Sequence, residues 1–274
     1  MKAPARCGGH NSTYKKEQIK MIKLGLQLFT VRDFMTTEED IRECFGKIKA
    51  AGYDQIQTAG CAIPYKRFGE LAKEYGLEIV GTHDDFDMML NDFDKALENH
   101  KLLGTTNMGT GGYWCGTTSE VMSEYIEKAN IIAKNAAKHG MKFTYHNHSH
   151  EFIKLDNGKT AMDMLVEGLD KENATFCLDT FWVQHAGGDP REWIEKLAGR
   201  IDILHLKDMK RVQADSNVQQ ITEIGNGNMN WKGILESAKK AGVKYYIVEQ
   251  DTNWVPNCFA SIRKSAEYLR SIMD

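Results

Sequence analysis

The sequence predicts an α/β fold, a closed (β/α)8 barrel, on three observations. Eight short apolar runs alternate with longer segments of helical periodicity. Several of those helical segments stop at a glycine just before the next run, the left-handed stop that a short αβ loop uses. The first run passes into "FTVRD" without the Gly-rich fingerprint that an open doubly wound sheet carries there.

In chain order, residues 1–21 are polar, lack the apolar core of a secretory signal, and are expected to be a loosely ordered extension; the barrel is expected over 22–274. The first strand is "IKLGLQL" (22–28). Ile41, Cys44, Phe45 and Ile48 then mark a helix, entered where Thr36 stands three before Glu39 in a capping box and left at Gly52. "DQIQTA" (54–59) follows, then a helix ending at Gly76, then the strands "LEIVGTH" (77–83) and "TTNMG" (105–109). Met122, Tyr125, Ile126, Ala129, Ile132 and Ala133 predict the next helix, with Thr117 three before Glu120 at its entrance and Gly140 at its exit. "KFTYH" (142–146), "ATFCLD" (174–179), "IDILHLK" (201–207) and "KYYIVE" (244–249) complete the eight, the last preceded by a stop at Gly242. Pro190 and Pro256 are expected at the first turns of the sixth and eighth helices, where a missing amide hydrogen does no harm.

Composition narrows the function. No run of eighteen apolar residues could cross a bilayer, and a net charge of −3 with dispersed Lys and Arg gives no footprint for a phosphate backbone. Membrane and nucleic acid are therefore excluded as expected partners. The six cysteines form no C-x-x-C pair, which suits a reducing, cytoplasmic setting. Outward aromatics, among them Trp193 and Tyr268, suit either a homo-oligomer contact or packing on the sheet.

The chemistry of such a barrel gathers at the carboxyl ends of its strands. There the fifth strand offers His146, Asn147 and His148 with Glu151 beyond, the sixth Asp179, the seventh His205 and Lys207, the eighth Glu249. Side chains two apart share a face of a strand, so these groups can point into one bowl. Mixed Asp, Glu and His ligation suits one divalent ion: Mn, Mg, Co or Zn.

The stretches "LGLQLFTVRD", "YHNHSHEF", "LDTFWVQHAGGDP", "HLKDM" and "EIGNGNMNWKGIL" resemble the xylose isomerase-like sugar phosphate isomerase/epimerase family, and the similarity covers nearly everything after residue 21. The resemblance implies a TIM barrel with one divalent metal at its mouth, held by Asp179, His205, Glu249 and a fourth ligand from the strand-five region. That fourth ligand stays open among Glu151, His148 and His146; Glu151 is favoured because an oxygen-rich shell suits a metal that handles alkoxides. Many epimerases of the family carry a Glu inside that strand near the place of His146, a departure that bears on their two-glutamate proton relay.

The activity so implied is isomerisation or epimerisation of a sugar or sugar phosphate, by proton removal next to a carbonyl through a metal-bound enediolate. The alternative is a lyase or dehydratase that loses a β-substituent from a keto-inositol or 3-keto-glycoside. Glu151, Glu249 and His148 are the candidate proton carriers, and Lys207 would neutralise a substrate oxygen. Gln27, His83, Trp114, His146, Trp182 and His185 are candidate contacts to the carbohydrate. Gly111-Gly112 and Gly225-Asn226-Gly227 read as turns, since no phosphate-loop pattern accompanies them.

Overall fold

A computed structural model describes residues 22–114, 116, 118–213 and 218–273. The expected extension over 1–21, Cys7, Cys115 and Thr117 lie outside the described residues. Eight parallel strands form a nearly closed barrel: β1 (Leu24–Gln27), β2 (Gln55–Thr58), β3 (Glu78–Thr82), β4 (Asn107–Thr110), β5 (Lys142–His146), β6 (Ala174–Asp179), β7 (Ile201–Leu206) and, last in the chain, β10 (Tyr245–Val248). Around them run α1 (Glu38–Ala50), α2 (Tyr65–Glu74), α3 (Phe86–Asn91), α4 (Phe93–Leu103), α5 (Ser119–Ala137), α6 (Ala161–Gly168), α7 (Thr180–His185), α8 (Pro190–Lys196), α9 (Trp231–Ala241) and α10 (Cys258–Met273).

Each strand reads as a continuous apolar run because its outer face packs under helices while its inner face fills the lumen. Phe143, Phe176 and Tyr246 are buried in the outer core with Phe45, Phe68 and Ile132 from the helices. Inside, Val80, Cys177, Ile203 and Ile247 make a small apolar floor. The hydrogen-bonded order runs β3-β2-β1-β10-β7-β6-β5-β4, and the remaining β3/β4 seam is closed largely by side chains. Asn107 Nδ2 donates to Val80 O at 2.8 Å, and Gly109 N donates to Thr82 Oγ1 at 3.1 Å. Thr82 Oγ1 also meets Nε2 of the buried His100 at 2.8 Å, and His100 Nδ1 meets Ala96 O at 2.7 Å. Position 109 must be glycine, because a Cβ there would collide with the Thr82 carbonyl.

Three local expectations shift. The cap of α1 is Thr37 rather than Thr36, boxed with Asp40 rather than with Glu39; Thr36 instead donates to Asp40 Oδ2 at 2.6 Å. Helix α5 is capped by Thr118, which accepts from Val121 N at 3.4 Å. Pro190 opens α8 as expected, whereas Pro256 lies in the turn before α10, whose entrance Asn257 caps by accepting from Ala260 N at 3.0 Å. The glycine stops hold: Gly242 ends α9 at φ 77°, and Gly52, Gly76 and Gly140 share its positive φ.

One element is additional. Directly after β7 the chain forms an antiparallel hairpin, β8 (Asp208–Arg211) with β9 (Gln219–Thr222), before the "EIGNGNMNW" loop leads into α9. The fully buried Asp208 carboxylate organises that loop. Its Oδ1 accepts from Met209 N at 2.7 Å, and its Oδ2 accepts from Gly225 N at 2.8 Å, Gly227 N at 3.2 Å and Trp231 Nε1 at 2.8 Å. Of the glycines read as turns, Gly225 and Gly227 direct their amides inward onto this carboxylate.

No helix of the described residues is long and apolar enough to cross a membrane. Cys44, Cys61, Cys177 and Cys258 are free thiols.

Candidate metal centre

The bowl grows out of the strand period. Floor residues Cys177, Ile203 and Ile247 point inward, so the residues two further on, Asp179, His205 and Glu249, point inward one layer higher. Register aligns them, since Asp179 pairs with His205 across β6/β7 and His205 with Ile247 across β7/β10. His146, two past Thr144 on β5, completes the ring. One donor atom from each of His146, Asp179, His205 and Glu249 lies within 4.8 Å of the others.

Three of the four are held by their other polar atom. His146 Nδ1 meets Gly111 O at 3.3 Å. Asp179 Oδ1 caps α7 by accepting from Trp182 N at 3.0 Å, while its own backbone N donates to Asn147 Oδ1 at 2.9 Å. His205 Nε2 lies 2.6 Å from Gln57 Oε1, on the opposite wall. What remains is His146 Nε2, Asp179 Oδ2, His205 Nδ1 and Glu249 Oε2, four buried atoms that face one another and the Lys207 ammonium. His205 Nδ1 stands 2.9 Å from Glu249 Oε2 and 3.6 Å from Asp179 Oδ2, and His146 Nε2 stands 3.5 Å from Asp179 Oδ2. Buried polar atoms are normally satisfied. These four converge, two imidazole nitrogens and two carboxylate oxygens with only one another and the Lys207 ammonium for company, and the set fits a divalent ion.

Lys207 is 1% exposed, and its ammonium lies 3.1 Å from Asp179 Oδ2, 2.8 Å from Glu249 Oε2 and 3.0 Å from Asp251 Oδ2. Burial alone would discharge it, but Asp179, Glu249 and Asp251 raise its pKa and keep it cationic. Burial likewise opposes charge on Asp179 and Glu249, and Lys207 holds both well below the usual carboxylate range. Asp251 is pushed up to about 6 by burial and by Glu249. Three carboxylates against one ammonium leave two negative charges, which one divalent ion balances.

Glu151 is not brought into this cluster. It lies in a one-turn helix, His150–Phe152, that folds it back behind β5, where Oε1 accepts from Tyr145 OH at 2.9 Å and Oε2 from His148 N at 2.8 Å. Burial raises its pKa. The grouping His148, His150 and Glu151 is also tight, but both Glu151 oxygens are engaged and His150 Nε2 meets Tyr113 O at 2.8 Å. A third grouping, His83, Cys177 and His205, borrows His205 from the main cluster and adds a thiol that burial keeps protonated.

The remaining sequence candidates divide. His83 reaches the bowl, its ring 4.8 Å from His146 and 5.5 Å from His205; Gln27 Nε2 meets its Nδ1 at 3.3 Å, and its Nε2 is buried without a partner. Burial first and His146 second hold His83 well below its ordinary pKa, so it is neutral. The His148 ring stands 4.8 Å from His146 and 5.4 Å from Trp182, with Nδ1 unpartnered and its pKa down at about 3 through burial and His146. Trp182 carries the Lys207 ammonium 5.4 Å over its ring and has an unpartnered Nε1. Trp114 is 77% exposed on the rim, beside His150 at 4.8 Å. His185 is exposed at the end of α7 and stacks on Phe181.

Two residues of the bowl escaped the sequence reading. Asp251 was within reach of it, standing two past Glu249 just as Lys207 stands two past His205. Gln57 carried no such signal, because a lone amide in a strand is chemically unremarkable until its partner is known.

The comparisons with known proteins agree with this architecture. A family model described as xylose isomerase-like TIM barrel matches residues 45–272. The chain is 26% identical to an inosose dehydratase of Geobacillus thermodenitrificans (strain NG80-2) over 56% of this chain and 55% of that protein, and 25% identical to one from Lacticaseibacillus casei over 52% of each. It thus spans about half the length of the curated relatives it matches. Among solved structures, a sugar phosphate isomerase/epimerase from Parabacteroides distasonis ATCC 8503 superposes with a TM-score of 0.79 at 22% identity, covering 90% of this chain and 97% of that one. An L-ribulose 3-epimerase superposes at 0.73 with 13% identity over 92% and 95%. At such identities these structures speak for the fold, and the family match, over most of the chain, settles the lineage: the protein belongs to the xylose isomerase-like TIM barrel family.

Proposed function

We propose that this chain is a divalent-metal-dependent lyase of the dehydratase kind, acting on an unphosphorylated polyhydroxylated ketone such as a keto-inositol or 3-keto-glycoside. His146, Asp179, His205 and Glu249 would hold the ion, Mn, Mg, Co or Zn, which when bound supplies Lewis-acid polarisation of the substrate carbonyl.

The observation that carries the reading is the asymmetry of the proton carriers. A two-glutamate epimerase relay needs opposed carboxylates, one to remove a proton and one to return it on the other face. Here strand five presents His146 at that place and Glu151 is turned onto Tyr145, so of the two candidate glutamates only Glu249 faces the bowl. Elimination needs two unlike groups instead. The proton next to the carbonyl passes to His148 Nδ1, its electron pair closes the new C=C bond, and the β-substituent departs with a proton from Asp251 Oδ1, both atoms being unpartnered. Lys207 lies beside Asp179, Glu249 and Asp251 and steadies negative charge on the substrate.

Charge supports a neutral substrate. With a divalent ion in place and Asp251 protonated as the acid, the cluster keeps one positive charge, which suits the negative charge that develops on a neutral substrate. Among the described residues the cations beside it are engaged: Lys207 by three carboxylates, and Arg32 by the Asp251 and Phe29 carbonyls, with Phe29 and Trp254 against its guanidinium. The Gly225 and Gly227 amides, a potential phosphate cradle, are taken by Asp208.

The deciding experiment incubates the Mn²⁺-loaded protein in D₂O with a keto-inositol, a 3-keto-glucoside and ketohexoses. A product lighter by water or by the aglycone is expected. Interconversion of ketoses with solvent deuterium and no such loss would return the reading to isomerisation or epimerisation.

A further inference from the structure

We infer that the rim beside Asp251 seats the leaving group and takes an aglycone carrying an aromatic ring, so that 3-keto-glycosides of this kind, rather than keto-inositols, are the substrates; this rests on the elimination proposed above. Phe29, on the turn after β1, is 42% exposed, and Val255, on the loop after β10, is 54% exposed. Between Phe29 and the half-buried Trp254 lies the Arg32 guanidinium, 4.3 Å from the centroid of the first ring and 5.3 Å from that of the second. Its two terminal nitrogens are engaged by carbonyls: Nη1 donates to Phe29 O at 2.9 Å, and both Nη1 and Nη2 donate to Asp251 O at 3.2 Å. Asp251 thus belongs to two surfaces, its carbonyl to this rim and its carboxylate to the bowl, where Oδ2 accepts from Lys207 Nζ at 3.0 Å.

The rim is held in place. Trp254 Nε1 donates to Gln250 O at 2.9 Å, and Gln250 Nε2 donates to Thr252 O at 3.1 Å and to Asn253 O at 3.2 Å. Asn253 adopts φ 60°, a left-handed conformation uncommon outside glycine, and its Nδ2 donates to Ile221 O of the hairpin at 3.3 Å. With the indole N–H and the guanidinium so engaged, the rim offers flat faces rather than hydrogen-bond donors, which suits stacking on an aromatic ring and not the hydroxyls of a second sugar. Water, the group that a keto-inositol loses, has no use for such a surface. In the elimination the C2–H bond of the 3-keto-glycoside breaks, its proton passes to the base and its electron pair forms C1=C2. The C1–O bond breaks with it, and the aglycone leaves as an alcohol with the proton from the acid, so that a 1,2-unsaturated ketone remains. Its way out runs along the wall that carries Asp251, where Phe29 and Trp254 stand.

The test gives the Mn²⁺-loaded full chain benzyl and ethyl 3-keto-glucosides, whose leaving alcohols are of similar basicity, together with a keto-inositol, and reads kcat/KM from released alcohol or lost water by mass spectrometry. The benzyl glycoside is expected to exceed the ethyl by about 10- to 100-fold, the worth of burying one phenyl ring, with the keto-inositol the poorest of the three. Phe29→Ala should shrink the benzyl-to-ethyl ratio by about 5- to 10-fold, and Phe29→Trp, which keeps a flat face, should retain it. Equal kcat/KM for the two glycosides in the wild type overturns the inference, and this measurement needs no variant to fold. So does a ratio unchanged in Phe29→Ala, or a keto-inositol that loses water faster than the benzyl glycoside loses its alcohol, outcomes that leave the lyase reading standing. No elimination from any of the three overturns the lyase reading and the inference with it.

Discussion

The two halves of the barrel do different work. From β5 onward the inner face carries charge: Asp179, Lys207, Glu249 and Asp251, with His146, His148 and His205 among them. From β1 to β4 the same depth carries uncharged groups, and its two glutamines each hold an imidazole, Gln27 that of His83 and Gln57 that of His205. One half supplies electrostatics and the other supplies orientation. A buried charge needs fixed partners to be useful, and neutral amides give that fixity without disturbing the balance of charge.

The sharpest way to break this division is Glu249→Gln, which removes a charge from the second half while keeping shape. Mn²⁺ content, read by elemental analysis, and turnover should fall together by two orders of magnitude or about that; retained activity would take Glu249 out of the mechanism. Lys207→Met comes next. It leaves three buried carboxylates uncompensated and should cost about 3–5 kcal/mol of metal-free stability in urea, with Mn²⁺ recovering part of the loss. Glu151→Gln tests whether position within the second half matters more than residue type. Metal content should stay within about threefold of wild type while stability drops by about 1–3 kcal/mol, as expected for a buried hydrogen-bond anchor. A loss of metal equal to that in Glu249→Gln would restore Glu151 to the cluster.

The smallest effect belongs to the neutral half. Burial holds the His100 pKa below its ordinary 6.5, and the neutral ring ties Thr82 of β3 to Ala96 of α4. A depressed folded-state pKa contributes stability that is full above 6.5 and is lost as pH falls from there through the folded value. Between pH 7.5 and 5.5 the wild type should therefore lose more stability than His100→Gln, by no more than about 1.4 kcal/mol per pH unit. Parallel pH profiles would show that the β3–α4 contact does not depend on that imidazole.

Most of the barrel was legible because strands buried on both faces leave unbroken apolar runs, and because alternation then points Asp179, His205 and Glu249 to one side. Legibility failed where the strand did. Beyond His146 the chain leaves the sheet, the period of two lapses, and the turn at His150–Phe152 reverses Glu151 onto Tyr145. Helix entrances were displaced by one residue where two threonines stand together, since Thr36 and Thr37 can each offer a hydroxyl and only backbone geometry selects between them. The hairpin after β7 was hidden because its apolar content is low and its partner strands lie within one inter-strand segment.

The single carboxylate of Asp208 has an evolutionary corollary. The start of the hairpin and the loop that enters α9 are both tied to that side chain, through Met209 on one side and Gly225, Gly227 and the indole of Trp231 on the other. A protein engineer wishing to transplant this segment into a sister enzyme would have to carry acid, glycines and tryptophan as one cassette. Splitting the set would strand a buried anion, so recombination should respect its borders.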